Sequence, residues 1–442
     1  MTAPYIGFNL YLRGALAETW SLVWIPLVLW ITDKAILQPK WRVFLTLIIA
    51  FISLTHVPSL LICTIFLLLY TISFLFVHPW KAVLSVIGSI FVGFGIASFY
   101  LLPAILEKSF INTEIMRSDD IHKLNLLSFG FTETTSIVSR YVQPIFLYNC
   151  FVILTFICLI FLFHCHDKLI INKTKKWSII LLILTFLMVD PSLFVWESSK
   201  TLQMIQFPWR LLGFFSFGAA VLLGLVVSGI SQGKRSLKLV LLSIALVILL
   251  GNTLYIHKLS KSLPGFHNPG NIAEAQKKKT WKASIYEQVK VALYDPYTNK
   301  VRGPQEYRPL LENGKAVPDP IIGQPPVSVT SGKAEIQLDR WESYERKFNV
   351  LATDESTIKL RIYYYPAWHL YVNNQPHSID MADDGTIATK LPSGFHTVEL
   401  RYQWTPAFTI GVITSILSLV IAIGYGIHNQ IASSIDRRRY ET

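Results

Sequence analysis

The stretch Gln206-Phe207-Pro208-Trp209-Arg210 carries the sharpest chemical signal in the sequence. Pro208 has the fixed backbone angle of a first helical turn, so Arg210 falls near a helix N-terminus. That end carries a partial positive charge and free amide N–H groups, and arginine adds a planar fork of donors. The combination suits a phosphate group, with Gln206 and Trp209 beside it. The bland alternative is an arginine that reaches for ordinary lipid headgroups.

Arg13 and Glu18 form a second candidate pair. Arg13 suits a phosphate, and Glu18 suits a base or an anchor for a substrate hydroxyl. The plainer account is an interfacial ion pair at a helix start, where acids are favoured. Asp190 and Glu197 bracket the segment leading to Gln206, so the pool of catalytic carboxylates is Glu18, Asp190 and Glu197. As solvated loop acids they would do nothing, and no two of them show a diagnostic spacing. His56 precedes Val57-Pro58 at a break between apolar runs. It either lines a cavity or bonds a backbone carbonyl freed by the break.

Other tracts are weaker. His164-Cys165-His166 has the look of a metal tract, but no second cluster joins it, and zinc sites need about four converging ligands. Trp368, Tyr371 and Tyr363-Tyr364-Tyr365 would stack on a sugar or, more simply, fill a sheet core. No metal site is assigned. Phosphate loops, dinucleotide fingerprints and metalloprotease motifs are absent.

The elements that must hold these residues are membrane spans. Of 442 residues, 52% are hydrophobic and only 15% charged, which is not the balance of a soluble protein. The net charge of +12 suggests nucleic acid, yet most Lys and Arg lie in short loops beside apolar runs. That is the positive-inside bias of a membrane protein, so no nucleic-acid partner is expected. Crossing the hydrocarbon takes about 20 apolar residues. Spans are predicted near 14–32, 43–55, 57–76, 82–102, 146–164, 177–190, 208–230, 239–257 and 406–427. The bundle thus occupies 1–257, and 428–442 is a cytoplasmic tail. Loops 33–42, 77–81, 165–177 and 231–238 and the Arg437-Arg438-Arg439 tail are basic and therefore cytoplasmic. The alternation closes only if 43–55 and 57–76 cross separately, hinged at His56. The expected fold class is an α-helical polytopic membrane protein of about nine transmembrane helices in the plasma membrane. Its N-terminus is outside and its C-terminus inside. An outside N-terminus without a signal peptide suggests the C-terminal part of a longer or split protein, with a separate N-terminal half or partner membrane subunit.

Residues 258–405 read as an extracytoplasmic domain. The part to 325 is rich in Pro, Gly and Lys and reads as a lead-in. From about 327 the pattern turns to β, with 343–351 and 356–365 strand-like. Asn373-Asn374, Asp383-Asp384-Gly385 and Pro392-Ser393-Gly394 supply turns. An antiparallel β-sandwich of six to eight strands follows. The four cysteines, Cys63, Cys150, Cys158 and Cys165, lie in or beside apolar runs, so no disulfide framework staples this domain.

Three stretches together resemble a known family. They are Ala3-Pro4-Tyr5 with Tyr11-Leu12-Arg13-Gly14-Ala15-Leu16-Ala17-Glu18, then Gln206–Arg210, then Tyr364-Tyr365-Pro366-Ala367-Trp368 through Asn373 with Leu391–Leu400. They look like the bacterial membrane proteins called 6-pyruvoyl-tetrahydropterin synthase-related and like YfhO-type proteins. Both are similar to GT-C glycosyltransferases. The resemblance implies use of a polyprenyl-phosphate-linked sugar at the outer face, in cell-envelope glycan modification. Membrane lipids surround it, and a divalent cation is the one cofactor admitted. Substrate-binding residues would be Arg13, His56, Gln206, Trp209 and Arg210, with Glu18 or Asp190 catalytic. GT-C enzymes keep their catalytic acid in the first outside loop. If the sequence begins mid-family, that loop lies outside it. The alternatives are a non-catalytic assembly or glycan-binding subunit, and a lipid-linked glycan transporter.

Overall fold

The computed structural model describes residues 3–117, 120–128, 141–164, 168–228, 243, 246–257, 294–295, 300–301, 308–311, 314–317 and 324–441. They belong to two compact units. The first comprises Met1–Ala97, Met116–Pro269 and Leu417–Thr442, and the second Ser98–Ile115 and Gly270–Ile416.

Helices make up the first unit. They are α1 (Leu16–Leu37), α2 (Trp41–Thr55), α3 (Val57–Ile72), α4 (Trp80–Ile96), α5 (Gln143–His164), α6 (Lys168–Met188), α7 (Leu212–Ser228) and the second half of α8 (Pro406–Glu441). Among the described residues five segments are long and apolar enough to cross a membrane: Leu16–Leu37, Val57–Phe76, Gln143–Phe161, Pro208–Val227 and Pro406–Ile431. A sixth is counted if Trp80–Ile96 and Ser98–Leu106 are taken as one bent span. Trp41–Thr55 and Leu246–His257 are apolar but shorter. Many large apolar side chains on these helices face outward, among them Leu154, Leu182, Leu417 and Val420. A surface so apolar suits lipid rather than water.

Two boundaries differ from the sequence expectation. Helix α6 starts at Lys168 and runs through Lys173, Lys175 and Lys176, where a loop is expected. Lysine is a good helix former, and its long stem leaves the charge free to turn outward. Helix α8 continues past 427 to Glu441. The first half of the 239–257 run falls largely outside the described residues.

Close crossings fix the bundle. A Cβ on Gly93 of α4 would lie 2.6 Å from Ile49 Cβ and 2.7 Å from the Thr46 carbonyl of α2. On Gly213 it would lie 2.4 Å from Leu22 of α1. Glycine at these points lets backbones approach as only small residues permit. The Gly213 contact draws the start of α7 against the first turns of α1.

Two antiparallel sheets dominate the second unit. A two-stranded ribbon pairs Tyr294–Asp295 with Lys300–Val301, and the two larger sheets are built from β1 (Val327–Ser331), β2 (Ala334–Trp341), β3 (Glu345–Ala352), β4 (Ser356–Tyr363), β5 (Trp368–Val372), β6 (Gln375–His377), β7 (Asp380–Met381), β8 (Thr386–Leu391) and β9 (Gly394–Tyr402). One sheet has the order β1-β4-β8-β7 and the other β2-β3-β9-β5-β6. Val327, Ile358, Leu360, Ile387 and Leu391 from the first meet Phe348, Val350, Leu370, Val398 and Leu400 from the second. The strands alternate as a half-buried sheet must, as in β3, where Phe348, Val350 and Ala352 point inward. Asn373 and Asn374 take φ of 51° and 64°, the left-handed pair of a tight hairpin turn between β5 and β6.

Segment 107–112 joins this unit. The Asn112 N–H donates to the Arg308 carbonyl at 2.8 Å, and the Leu310 N–H to the Phe110 carbonyl at 3.1 Å. Tyr365 donates its hydroxyl to Glu107 and packs edge-on against Phe110. Of the aromatic tract, Tyr364 and Trp368 lean on the sandwich core, while the Tyr371 hydroxyl accepts Gln403 Nε2 at 2.9 Å.

Asp384 ties two strands together. Lys359 Nζ lies 2.5 Å from its Oδ2, and the Thr386 hydroxyl donates to Oδ1 at 2.6 Å. Burial works to raise its carboxyl, but hydrogen bonds from Lys359 and Thr386 outweigh it and hold the group below the usual aspartate range. A depressed carboxyl stabilises the fold when ionised. That contribution is full above the unfolded value of about 3.9 and is lost as pH falls through the folded value. Asp384→Asn should therefore lower stability at neutral pH and flatten the acid limb, in unfolding of the full chain followed by tryptophan fluorescence. An unchanged acid limb would exclude the linkage. Phe348→Ala should cost about 3–5 kcal/mol in the same assay, because it empties the centre of the core.

Candidate functional site

The site is built from three chain segments in the first unit. Residues 3–13 come first. Pro4–Gly7 is one α-turn, and Phe8–Arg13 widens into a π-helical turn. Gly14 ends it at φ 63°, and Asn9 accepts the Ala15 N–H at 2.9 Å through its carbonyl. A widened turn of this kind is favoured where side chains must be aimed at a site. Tyr5, Asn9 and Arg13, four residues apart, then lie along one face.

Helix α1 supplies Glu18 in its first turn. The third segment is Gln206–Arg210. Gln206 holds φ at 65°, a left-handed conformation that a non-glycine residue adopts only when its surroundings enforce it. The chain reverses there and enters a 3₁₀ turn, Pro208–Leu211, that leads into α7. Arg210 thus sits in the first turn of its span, as Pro208 predicts.

Glu18 is the hub. Its side chain is 3% exposed, and Arg210 beside it is 8% exposed. Oε1 accepts the Tyr5 hydroxyl at 2.5 Å and Asn9 Nδ2 at 3.2 Å. Oε2 accepts Arg13 Nη1 at 2.9 Å and Arg210 Nε at 3.1 Å. Arg13 Nη1 also reaches Asn9 Oδ1 at 2.7 Å, and Arg210 Nη1 donates to the Ile205 carbonyl. Both carboxylate oxygens are therefore engaged twice. Desolvation and the nearby Glu18 charge push the Tyr5 hydroxyl well above the usual tyrosine range, so it stays a donor.

Aromatic rings wall the cluster. Phe207 and Trp209 stack at 4.9 Å, and Arg13 lies 4.7 Å over Trp209. Arg210 lies 4.8 Å over Phe207. Tyr5 and Phe8 meet Trp209 edge-on at 6.2 and 5.7 Å. Cation–π contacts of this kind are worth about 0.5–2 kcal/mol each. Trp209 is fixed by its indole N–H, which donates to Asn125 Oδ1 at 3.1 Å.

His56 lies beside the same charges. Its Nδ1 accepts the Ser59 N–H at 3.3 Å and caps α3, so it satisfies an amide rather than a carbonyl at the break. Burial, and then the Arg210 guanidinium, pull its imidazole down to about 4. It is neutral at ordinary pH.

The structure thus brings together Arg13, Glu18, His56, Gln206, Trp209 and Arg210. Asp190 stands apart. It is exposed at the end of α6, and its N–H is held by the Leu127 carbonyl at 3.2 Å. Glu197 is also exposed. Glu18, gripped by two guanidiniums, is an anchor rather than a free base. For the same reason the donor set does not fit a divalent cation, which two arginines would repel. Cys165 and His166 of the His-Cys-His tract lie outside the described residues. Tyr5, Asn9, Phe207 and Asn125 are partners that the motifs alone leave unassigned. The four-residue spacing of Tyr5, Asn9 and Arg13 is the sequence signal that marks two of them.

Removing one partner of a buried charge pair costs about 3–5 kcal/mol, because the other charge is left uncompensated. Glu18→Gln leaves two guanidiniums facing each other and should lose about that much in unfolding in detergent micelles. Glu18→Gln combined with Arg210→Met should recover a large part of the loss. Two additive losses would mean that the residues do not act as a pair.

Compared with known proteins, the chain matches no family model, no curated protein and no solved structure.

Proposed function

We propose that this chain is a GT-C-like membrane protein that holds the phosphate of a polyprenyl-phosphate-linked sugar at the outer face of the plasma membrane. In this reading the bundle has about nine crossings, and residues 258–405 and the N-terminus are outside. The basic loops and the C-terminus are cytoplasmic.

One observation carries the proposal. The buried cluster holds two guanidiniums, Arg13 and Arg210, against a single carboxylate, Glu18. His56 is neutral and Tyr5 stays protonated, so the group keeps one net positive charge. An unbalanced cation in such a place is costly unless an anion joins it. Arg13, 18% exposed, is the arginine open to an incoming ligand. It lies over the Phe207–Trp209 stack, a surface suited to the apolar parts of a lipid or the face of a sugar.

In the transfer reaction that the resemblance implies, an acceptor hydroxyl oxygen bonds to the anomeric carbon. The bond from that carbon to the phosphate oxygen breaks, and the electron pair leaves with the phosphate. The hydroxyl proton passes to a carboxylate. Arg13 would offset charge on the leaving phosphate, while Glu18 positions both arginines. Because Glu18 is fully engaged, the arrangement favours binding by this chain more strongly than base catalysis by Glu18. A glycan-binding subunit is therefore the second reading.

Charge-assisted hydrogen bonds contribute about 1.5–3 kcal/mol. Arg13→Ala should weaken binding of a polyprenyl-phosphate sugar by about tenfold to a hundredfold, measured on purified protein whose melting temperature is checked alongside. Arg210→Ala should reduce glycan transfer in membranes. Full transfer with Arg210→Ala, or unchanged binding with Arg13→Ala, would remove the phosphate clamp.

A further inference from the structure

A second basic site lies at the other end of α1. A cavity of about 260 Å³ opens between α2, α4 and α8. Gly88, Ser89, Val92, Ile421 and Ala422 form its apolar, small-residue wall, and Arg42 and Tyr425 stand together on it. Arg42 Nε donates to the Ala35 carbonyl at 3.2 Å, and Nη1 to the Tyr425 hydroxyl at 2.9 Å. Glu18 and Ala35 are 17 positions apart on α1, or about 25 Å at the helical rise. The two basic sites thus lie near opposite faces of a bilayer-thick bundle.

Among the described residues Arg42 bonds neutral partners, the Ala35 carbonyl and the Tyr425 hydroxyl. A guanidinium carries five N–H donors, and two are used here. The carboxylate in the last turns of α1, Asp33, accepts the Tyr70 hydroxyl at 2.7 Å. The Ser85, Ser89 and Thr46 hydroxyls of the cavity are already donating to backbone carbonyls. Ser85 donates to Lys81 O at 2.8 Å, Ser89 to Ser85 O at 2.9 Å, and Thr46 to Arg42 O and Ser89 O at 3.0 and 3.1 Å. What remains free is the guanidinium edge and the Tyr425 hydroxyl hydrogen. This is a planar donor set for one anionic oxygen group, mounted on an apolar slot.

We infer that this cavity binds one anionic phospholipid, its phosphate on Arg42 and Tyr425 and an acyl chain along Gly88, Ser89 and Val92. Charge decides the occupant. A zwitterionic lipid brings its own cation toward Arg42. An apolar partner helix would bury Arg42 without an anion, a costly arrangement. The basic flanks of the bundle, Lys34 and Lys40 before Arg42 and Arg437-Arg438-Arg439 in the last turns of α8, favour an anionic leaflet at this end.

The test is native mass spectrometry of the full chain released from nanodiscs of equal phosphatidylglycerol and phosphatidylcholine. The wild type should retain one more phosphatidylglycerol than Arg42→Gln does, and the extra lipid should not be phosphatidylcholine. Gly88→Leu fills the slot at a position where a Cβ meets open space, so it should fold at least as well and also lose that lipid. Retention of the lipid by either variant, confirmed folded by its melting temperature, overturns the inference. So does displacement by millimolar inorganic phosphate, which would indicate a free-anion site. A dimer that Gly88→Leu disperses would assign the slot to a second copy of the chain and overturn it too.

Discussion

The burial of Glu18 between two arginines is the interaction on which the first unit depends. A carboxylate this deep is tolerable only if it is paired and fully hydrogen-bonded, and four donors converge on it. Those donors come from the N-terminal turns and from the start of α7, some 190 residues later. Satisfying one charge therefore fixes where three separate chain segments meet. The irregular backbone of this region follows. The π-turn aims Arg13, and the left-handed Gln206 brings the chain round so that Arg210 faces inward.

The same charge has a chemical consequence. A site with one carboxylate and two guanidiniums is neutralised by one more anion. Its aromatic wall does not supply that anion, but it does hold the arginines in place through their flat faces. Glu18, one of the three candidate carboxylates, has both of its oxygens taken up by these partners. Two of its four donors are the guanidiniums of Arg13 and Arg210.

At the far end of α1 the charge balance is reversed in kind. Among the described residues Arg42 has neutral acceptors, and the cavity beside it is lined by aliphatic and hydroxyl side chains, Tyr425 among them. Small residues at positions such as Gly93 and Gly213 close helix crossings. Gly88, with nothing near it, leaves a slot instead. Similar residues thus serve packing in one place and access in another, and only the neighbours tell which.

The sequence by itself determined a good deal. Apolar runs near bilayer length must be helices, because lipid offers no partners to an open backbone. Alternation and Asn-Asn or Gly turns made residues beyond 327 a sheet domain. Pro208 put Arg210 in the first turn of its span, and His56 with Pro58 marked the helix break. Each of these is a local effect, set by a residue's own backbone preference or by a short period. Tertiary structure decided the rest. That Tyr5 and Arg210 share one carboxylate, that segment 107–112 belongs with the β-sheets, and that nine strands divide four and five are matters of distant contact. No local period encodes the partner of a buried charge. It is chosen by which helices can approach closely enough, and that depends on glycines and turns far away in the chain.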